Sequence, residues 1–308
     1  MPINLQYALY GVLAVLLTGT IAIGLKVLVK PSAGDHDLWL RIRSWWVMAS
    51  LFSLAIIGGR IPLVALFAFI SVIALKEYFG MISIRIADRH LLYLAYLTVP
   101  LQYLFVWQSW YGMFIIFIPV YMFLFMPLCM VIKGETQGFL KAVGTLHWGL
   151  MANVFAISHA AYLLALPDAG NTSAGSAGLL LFLVFLTQFN DVLQFVWGKF
   201  FGNTKVVPKI SPNKTLAGLL GGVATTTFLA WLLAPYLTPL LRWEAITAGA
   251  MIGLGGFVGD VTMSAIKRDI GLKNTSDMIP GHGGILDRID SLIFTAPLFF
   301  HFIYYLHY

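Results

Sequence analysis

The sequence predicts an all-α polytopic integral membrane protein with about nine or ten transmembrane helices, its N-terminus outside and its polar loops cytoplasmic. Three observations carry that expectation. Of 308 residues, 59% are hydrophobic and only 10% are charged, against roughly 25% charged in a soluble globular domain. The mean hydropathy is +0.85, and the apolar residues gather in stretches close to the roughly 20 residues a bilayer-spanning helix needs. Once those stretches are drawn, the basic residues sort to one side. A disordered chain, which needs low hydrophobicity and high charge, is excluded.

The stretches run 7–25, 45–58, 61–79, 91–107, 112–132, 143–166, 178–197, 215–234, 245–265 and 291–307. The first has no Lys or Arg before it and no small-residue cleavage site after it, so it reads as a retained helix and not a secretory signal. The second is short. Gly58-Gly59-Arg60-Ile61-Pro62 separates it from the third as a tight turn, and the count drops to nine if one of the two is re-entrant. The fifth is aromatic from Phe114 to Met126 and reads as lipid-facing scaffold. It holds Cys129, the single cysteine, so an intrachain disulfide and a cysteine-built zinc site are both excluded. The loop from Pro167 to Gly178 carries no base and one acid, Asp168, and reads as a passive connector. Gly249, Gly253 and Gly256 in the ninth stretch are spaced to let helices pack closely.

With the N-terminus outside and ten alternating spans, seventeen bases fall inside and only Arg60 and Arg242 outside, as the positive-inside bias requires. The pI near 9.3 is therefore an orientation signal and does not point to nucleic acid. No loop is long enough for a soluble domain. The expected organisation is one integrated membrane domain. Residues 1–142 form scaffold helices, and 143–308 form the catalytic half, with cytoplasmic loops 198–214 and 266–290.

Two polar clusters interrupt that second half. Between Gly198 and Gly218 stand four lysines and no acid, among Gly, Pro, Asn, Ser and Thr. Lys205, Lys209, Ser211, Asn213, Lys214 and Thr215 suit phosphate groups, because lysine supplies point charge and backbone N–H groups complete a cradle. A positive loop resting on anionic headgroups has the same composition. The glycine spacing of a Walker loop is missing. Just upstream, Asn190 and Asp191 lie inside an apolar stretch, where an ionisable residue is a functional candidate by default.

The second cluster, Asp260 to Asp290, holds five of the thirteen acids and four of the nineteen bases. Asp260, Ser264, Lys267 and Arg268 recur at about one helical turn and can share a face. Asp287 and Asp290 can share the first turn of the last helix. The Pro280-Gly281-His282-Gly283-Gly284 turn enters that helix, whose N-terminus favours anions. Carboxylates beside a phosphate-binding loop suggest Mg²⁺, a hard cation that bridges to substrate phosphates. Plain structural roles exist for each: a helix-start carboxylate for Asp287 and a turn residue for His282. A transporter would more often place polar, interrupted helices in both halves.

The run Ser264-Ala-Ile-Lys267-Arg268, then Lys273, then Pro280-Gly281-His282-Gly283-Gly284-Ile-Leu-Asp287-Arg288-Ile-Asp290-Ser291 resembles the signature of the phosphatidate cytidylyltransferases, the CDP-diacylglycerol synthases. Pro208-Lys209-Ile-Ser211-Pro212-Asn213-Lys214-Thr215 resembles their other block, in the right order. The resemblance covers about a third of the chain and is nearest to a divergent bacterial branch. It implies an enzyme of a bacterial inner membrane that joins CTP and phosphatidate into CDP-diacylglycerol and pyrophosphate. It also implies dependence on Mg²⁺, with room for a second cation, and a homodimer among bilayer lipids. Asp260, Asn274, Asp287 and Asp191 are then the expected metal ligands. Asp260, Lys267, Arg268, His282, Asp287 and Arg288 are the expected catalytic residues. Lys205, Lys209, Ser211, Asn213, Lys214, Thr215 and Ser264 are expected to hold the nucleotide. The family usually has Asp where this chain has Asn274, and an acid where it has Ala217. Two alternatives follow from those departures: a transferase with another nucleotide or nucleotide-sugar donor, or a weakly active or non-catalytic lipid-binding paralogue.

Overall fold

The computed structural model describes residues 1–31, 34–171 and 173–308. Among them, ten helices are long and apolar enough to cross a membrane: α1 Ile3–Val29, α2 Asp35–Gly58, α3 Arg60–Met81, α4 Ile86–Trp107, α5 Tyr111–Ile132, α6 Phe139–Ala165, α7 Gly175–Phe201, α8 Leu216–Leu237, α9 Arg242–Asp269 and α10 Leu286–His307. This is the all-helical architecture of a polytopic membrane protein. In such a protein every backbone polar group at membrane depth must be satisfied internally, and helices do so within one segment.

The largest difference from the sequence reading is α2. It starts ten residues before the apolar run, because Asp35 and Asp37 sit in its first turn, where carboxylates favour the helix dipole. Arg41 and Arg43 therefore ride on a helix and not on a loop. The break before α3 is the expected tight turn. Gly59 has φ of 87°, a conformation that glycine adopts without a Cβ penalty, and Pro62 falls in the tolerated first turn of α3. Helices α5 and α6 each contain one wider π turn, at Phe117–Met122 and Met151–Ala156.

Helices α7, α8 and α9 form the tightest group, and α10 packs on α9, α7 and α6. The glycines of α9 make this possible: a Cβ on Gly249 would meet that of Ala230 at 2.6 Å, and one on Gly253 would meet Val223 Cα at 3.0 Å. Polar pairs lock the same helices inside the bundle. Thr187 and Thr295 hydroxyls are 2.9 Å apart, and Thr226 donates to Asn190 at 3.1 Å. Helix α3 contacts α2, α4, α6 and α10, which carries its C-terminal end to the start of the last helix.

Candidate functional site

The polar clusters meet at one end of the bundle, where α3, α7 and α9 approach the loop that enters α10. That loop closes as a tight turn: Ile279 and Gly283 pair their backbones, with Ile279 N donating to Gly283 O at 2.7 Å. Gly281 and Gly283 both adopt positive φ, 74° and 85°.

Two carboxylates hold the turn against α10. Asp287 accepts from Lys267 Nζ at 2.7 Å, from the Thr275 amide and hydroxyl at 2.9 and 3.0 Å, and from the Gly284 amide at 3.1 Å. Glu77, from the end of α3, accepts from the Ser276 hydroxyl at 2.7 Å, from the Ile285 and Leu286 amides at 3.0 and 2.8 Å, and from the Thr275 hydroxyl at 3.2 Å. The first amides of a helix have no intrahelical partner. Here a carboxylate from another helix satisfies two of them. Gly284 has to be glycine, since a Cβ there would overlap both Glu77 and Thr275.

Beside this clamp lies the acid group of α7, α9 and α10. Ser291 Oγ stands 3.0 and 3.1 Å from the two oxygens of Asp191. Asp260 is partly open, accepts from Ser264 at 3.3 Å and pairs with Lys214. Asp191, Asp260 and buried Asp290 feel one another's charge, with Lys214, Lys267 and Arg288 as the compensating bases. Lys214 also donates to Gln194 Oε1 at 3.1 Å, so the lysine of the first sequence block stands on the acid of the second. Arg268 makes a second tie, donating to the Ile210 carbonyl at 3.3 Å.

The expected residues divide accordingly. Asp260, Ser264, Lys267, Asp191, Lys214, Asp287 and Arg288 are drawn together. Thr215 is buried and caps α8, its hydroxyl accepting from Gly218 N at 3.1 Å. Lys205, Lys209 and Asn213 are exposed on the loop, with Ser211 half-buried among them, its amide bonded to the Val207 carbonyl. Asn274 is exposed next to the clamped Thr275. His282 sits at the tip of the turn, its ring edge-on to Trp45 of α2 with centroids 6.2 Å apart. Burial, with the positive charges of Arg288 and Arg41, holds its imidazole below the usual histidine range.

Glu77, Asp290 and Gln194 complete the site and were not among the expected members. Glu77 left a signal, as the one acid within 61–79. Nothing local in the sequence tells that it reaches a turn some two hundred residues away.

Among the described residues, no three His, Cys, Asp or Glu side chains stand close enough to cage a metal alone. Asp260 and Asp191 nevertheless share positive charge from Lys214. Their oxygen donors fit a hard cation that keeps its waters and completes its shell on a substrate.

A family model described as "Cytidylyltransferase family" matches residues 39–306. Among individual proteins, the Escherichia coli (strain K12) "Uncharacterized protein YnbB" is 46% identical over 301 residues, covering 98% of this chain and 99% of that one. The phosphatidate cytidylyltransferase of Synechocystis is 43% identical over 114 residues, 37% of this chain and 39% of that one. That of Haemophilus influenzae is 37% identical over 132 residues, 41% and 46% respectively. The chain thus aligns with less than half the length of these two cytidylyltransferases.

Proposed function

The chain belongs to the cytidylyltransferase family, and from that premise we propose that it joins CTP to phosphatidate, giving CDP-diacylglycerol and pyrophosphate, at the cytoplasmic face of a bacterial inner membrane. One observation carries the reading: Lys214 of the basic block meets Asp260 of the acidic block, beside Asp191. A base that charges an acid pair, on a loop rich in further lysines, is the arrangement a polyphosphate would complete.

In this reading an oxygen of the lipid phosphate attacks the α-phosphorus of CTP. The new P–O bond forms as the bond to the β-phosphate bridging oxygen breaks, and pyrophosphate leaves with that electron pair. The nucleophile is already an anion, so no strong base is required, and catalysis is alignment and charge compensation. Asp260 and Asp191 would hold Mg²⁺, which supplies charge neutralisation for the phosphates when bound. Lys205 and Lys209 on the exposed loop, with Lys214, would receive the triphosphate. Lys267 and Asp287 keep the turn in place, and the charge of Arg288 bears on both Asp191 and His282.

The test is direct. Purified protein with CTP, Mg²⁺ and phosphatidate should release pyrophosphate and form CDP-diacylglycerol. No product under conditions where a known synthase is active would overturn the proposal. A different nucleotide or nucleotide-sugar donor is the second reading, favoured by the uncharged, exposed Asn274 in place of the family's acid. Turnover with such a donor and none with CTP would select it.

A further inference from the structure

We propose that α2 supplies Arg41 to an anion subsite, completed by His282 and Arg288, which takes the phosphomonoester headgroup of a lipid acceptor. The inference rests on the reading of the site as a transferase and names where its acceptor sits.

Helix α2 lies directly on the signature turn. Ser44 Oγ donates to the Pro280 carbonyl at 2.9 Å. A Cβ on Gly281 would meet Arg41 Cγ at 3.2 Å, so the arginine stem packs along the turn. Trp45 fixes the His282 ring from the same helix. Two nitrogen atoms at this place are buried without a well-formed partner, Nε of Arg288 and Nδ1 of His282. The Pro280 carbonyl accepts from Ser44 and lies within reach of the imidazole as well. A buried unpartnered donor such as Arg288 Nε is costly, and with exposed Arg41 beside it on α2 the basic groups around His282 make an incomplete anion site. Arginine is suited to the task, because its planar fork matches phosphate geometry.

The charges around the subsite define its orientation. Those that bear on His282 are both positive, Arg41 and Arg288. Arg288 also feels the charge of Asp191. A phosphate held by Arg41, His282 and Arg288 would therefore lie near the acid pair proposed to hold Mg²⁺, on the side of α2.

The experiment measures binding without nucleotide or metal, so it is independent of whether CTP is the donor. Purified protein in a neutral detergent is titrated with dioctanoyl phosphatidate, dioctanoylglycerol, glycerol 3-phosphate and inorganic phosphate. Dioctanoyl phosphatidate should bind best. R41A should weaken it roughly tenfold or more, the range for loss of a charge-assisted hydrogen bond, and R41K should recover part of the loss. CTP binding, measured separately, should stay unchanged in R41A. If R41A fails to fold, R41Q keeps the stem, removes the charge and carries the same expectation. Unchanged phosphatidate affinity in a folded Arg41 variant would overturn the proposal. Equal affinity for dioctanoylglycerol would overturn the headgroup assignment, and equal affinity for inorganic phosphate would overturn the lipid assignment.

Discussion

The backbone amide of Leu286 donates to the carboxylate of Glu77 at 2.8 Å, which joins the last membrane-spanning helix to the third across most of the sequence. Both groups are buried. Glu77→Ala would strand the Ser276 hydroxyl and two helix-start amides, at a cost of about 3 kcal/mol or more, since each buried unsatisfied donor costs about 1–3 kcal/mol. Glu77→Gln keeps one acceptor oxygen and should lose less. Denaturant unfolding in detergent measures the loss, and faster tryptic cleavage after Lys273 reports the freed turn. Wild-type behaviour in both assays would remove the clamp.

Gly284→Ala is expected to destabilise by about 1–3 kcal/mol, the usual cost of forcing atoms into a packed site. The Cβ would overlap Thr275 Oγ1 and Glu77 Oε2, and neither can retreat without breaking its other hydrogen bonds. An alanine variant that melts with the wild type would mean that the turn moves freely there.

The Lys267–Asp287 pair is nearly buried, its side chains 11% and 7% exposed. Lys267→Met should cost about 3–5 kcal/mol, because it leaves Asp287 buried without its countercharge. A double-mutant cycle with Asp287→Asn should return a coupling of at least about 1 kcal/mol. Simple additivity would show that the pair does not act as a unit.

Asp260→Ala should abolish nucleotidyl transfer while the protein still inserts into membranes. Asn274→Asp should raise turnover or Mg²⁺ affinity by restoring a charged oxygen donor. Turnover that survives in the first variant rules out Asp260 as a ligand, and a second variant identical to wild type does the same for position 274.

The imidazole of His282 is held below its usual value by burial, Arg288 and Arg41, so the folded protein binds fewer protons there than the unfolded chain. The stability it contributes is present above the unfolded value of about 6.5 and is lost as pH falls below it. Unfolding measured across that range should show wild type losing stability on acidification, with His282→Asn flatter. Equal slopes would show that His282 does not titrate in this window.

The spans were legible in the sequence because hydropathy is a local property and the bilayer sets one length for all of them. The start of α2 was not, since Asp35 to Arg43 reads as polar loop until the helix dipole is counted. At the site, the signature made Asp260, Lys267 and Asp287 visible. Lys214 and Ser264 were visible too, but which residue pairs with which was not. Thr215 reads as a phosphate ligand by its neighbours yet caps a helix, and whether a hydroxyl faces a ligand or its own backbone depends on dihedral angles that composition does not carry. Glu77 and Arg41 belong to a segment that reads as scaffold, and their reach to residues near 280 is a property of the packing alone.

The Glu77 clamp also bears on how the protein is made. During synthesis α3 enters the bilayer early and carries an acid whose hydrogen-bond donors have not yet been translated. Only when the last helix arrives do Ser276, Ile285 and Leu286 reach it. The turn with its His282 therefore becomes ordered late in assembly, and a chain truncated before α10 would lack the Leu286 amide that ties Glu77 to the last helix.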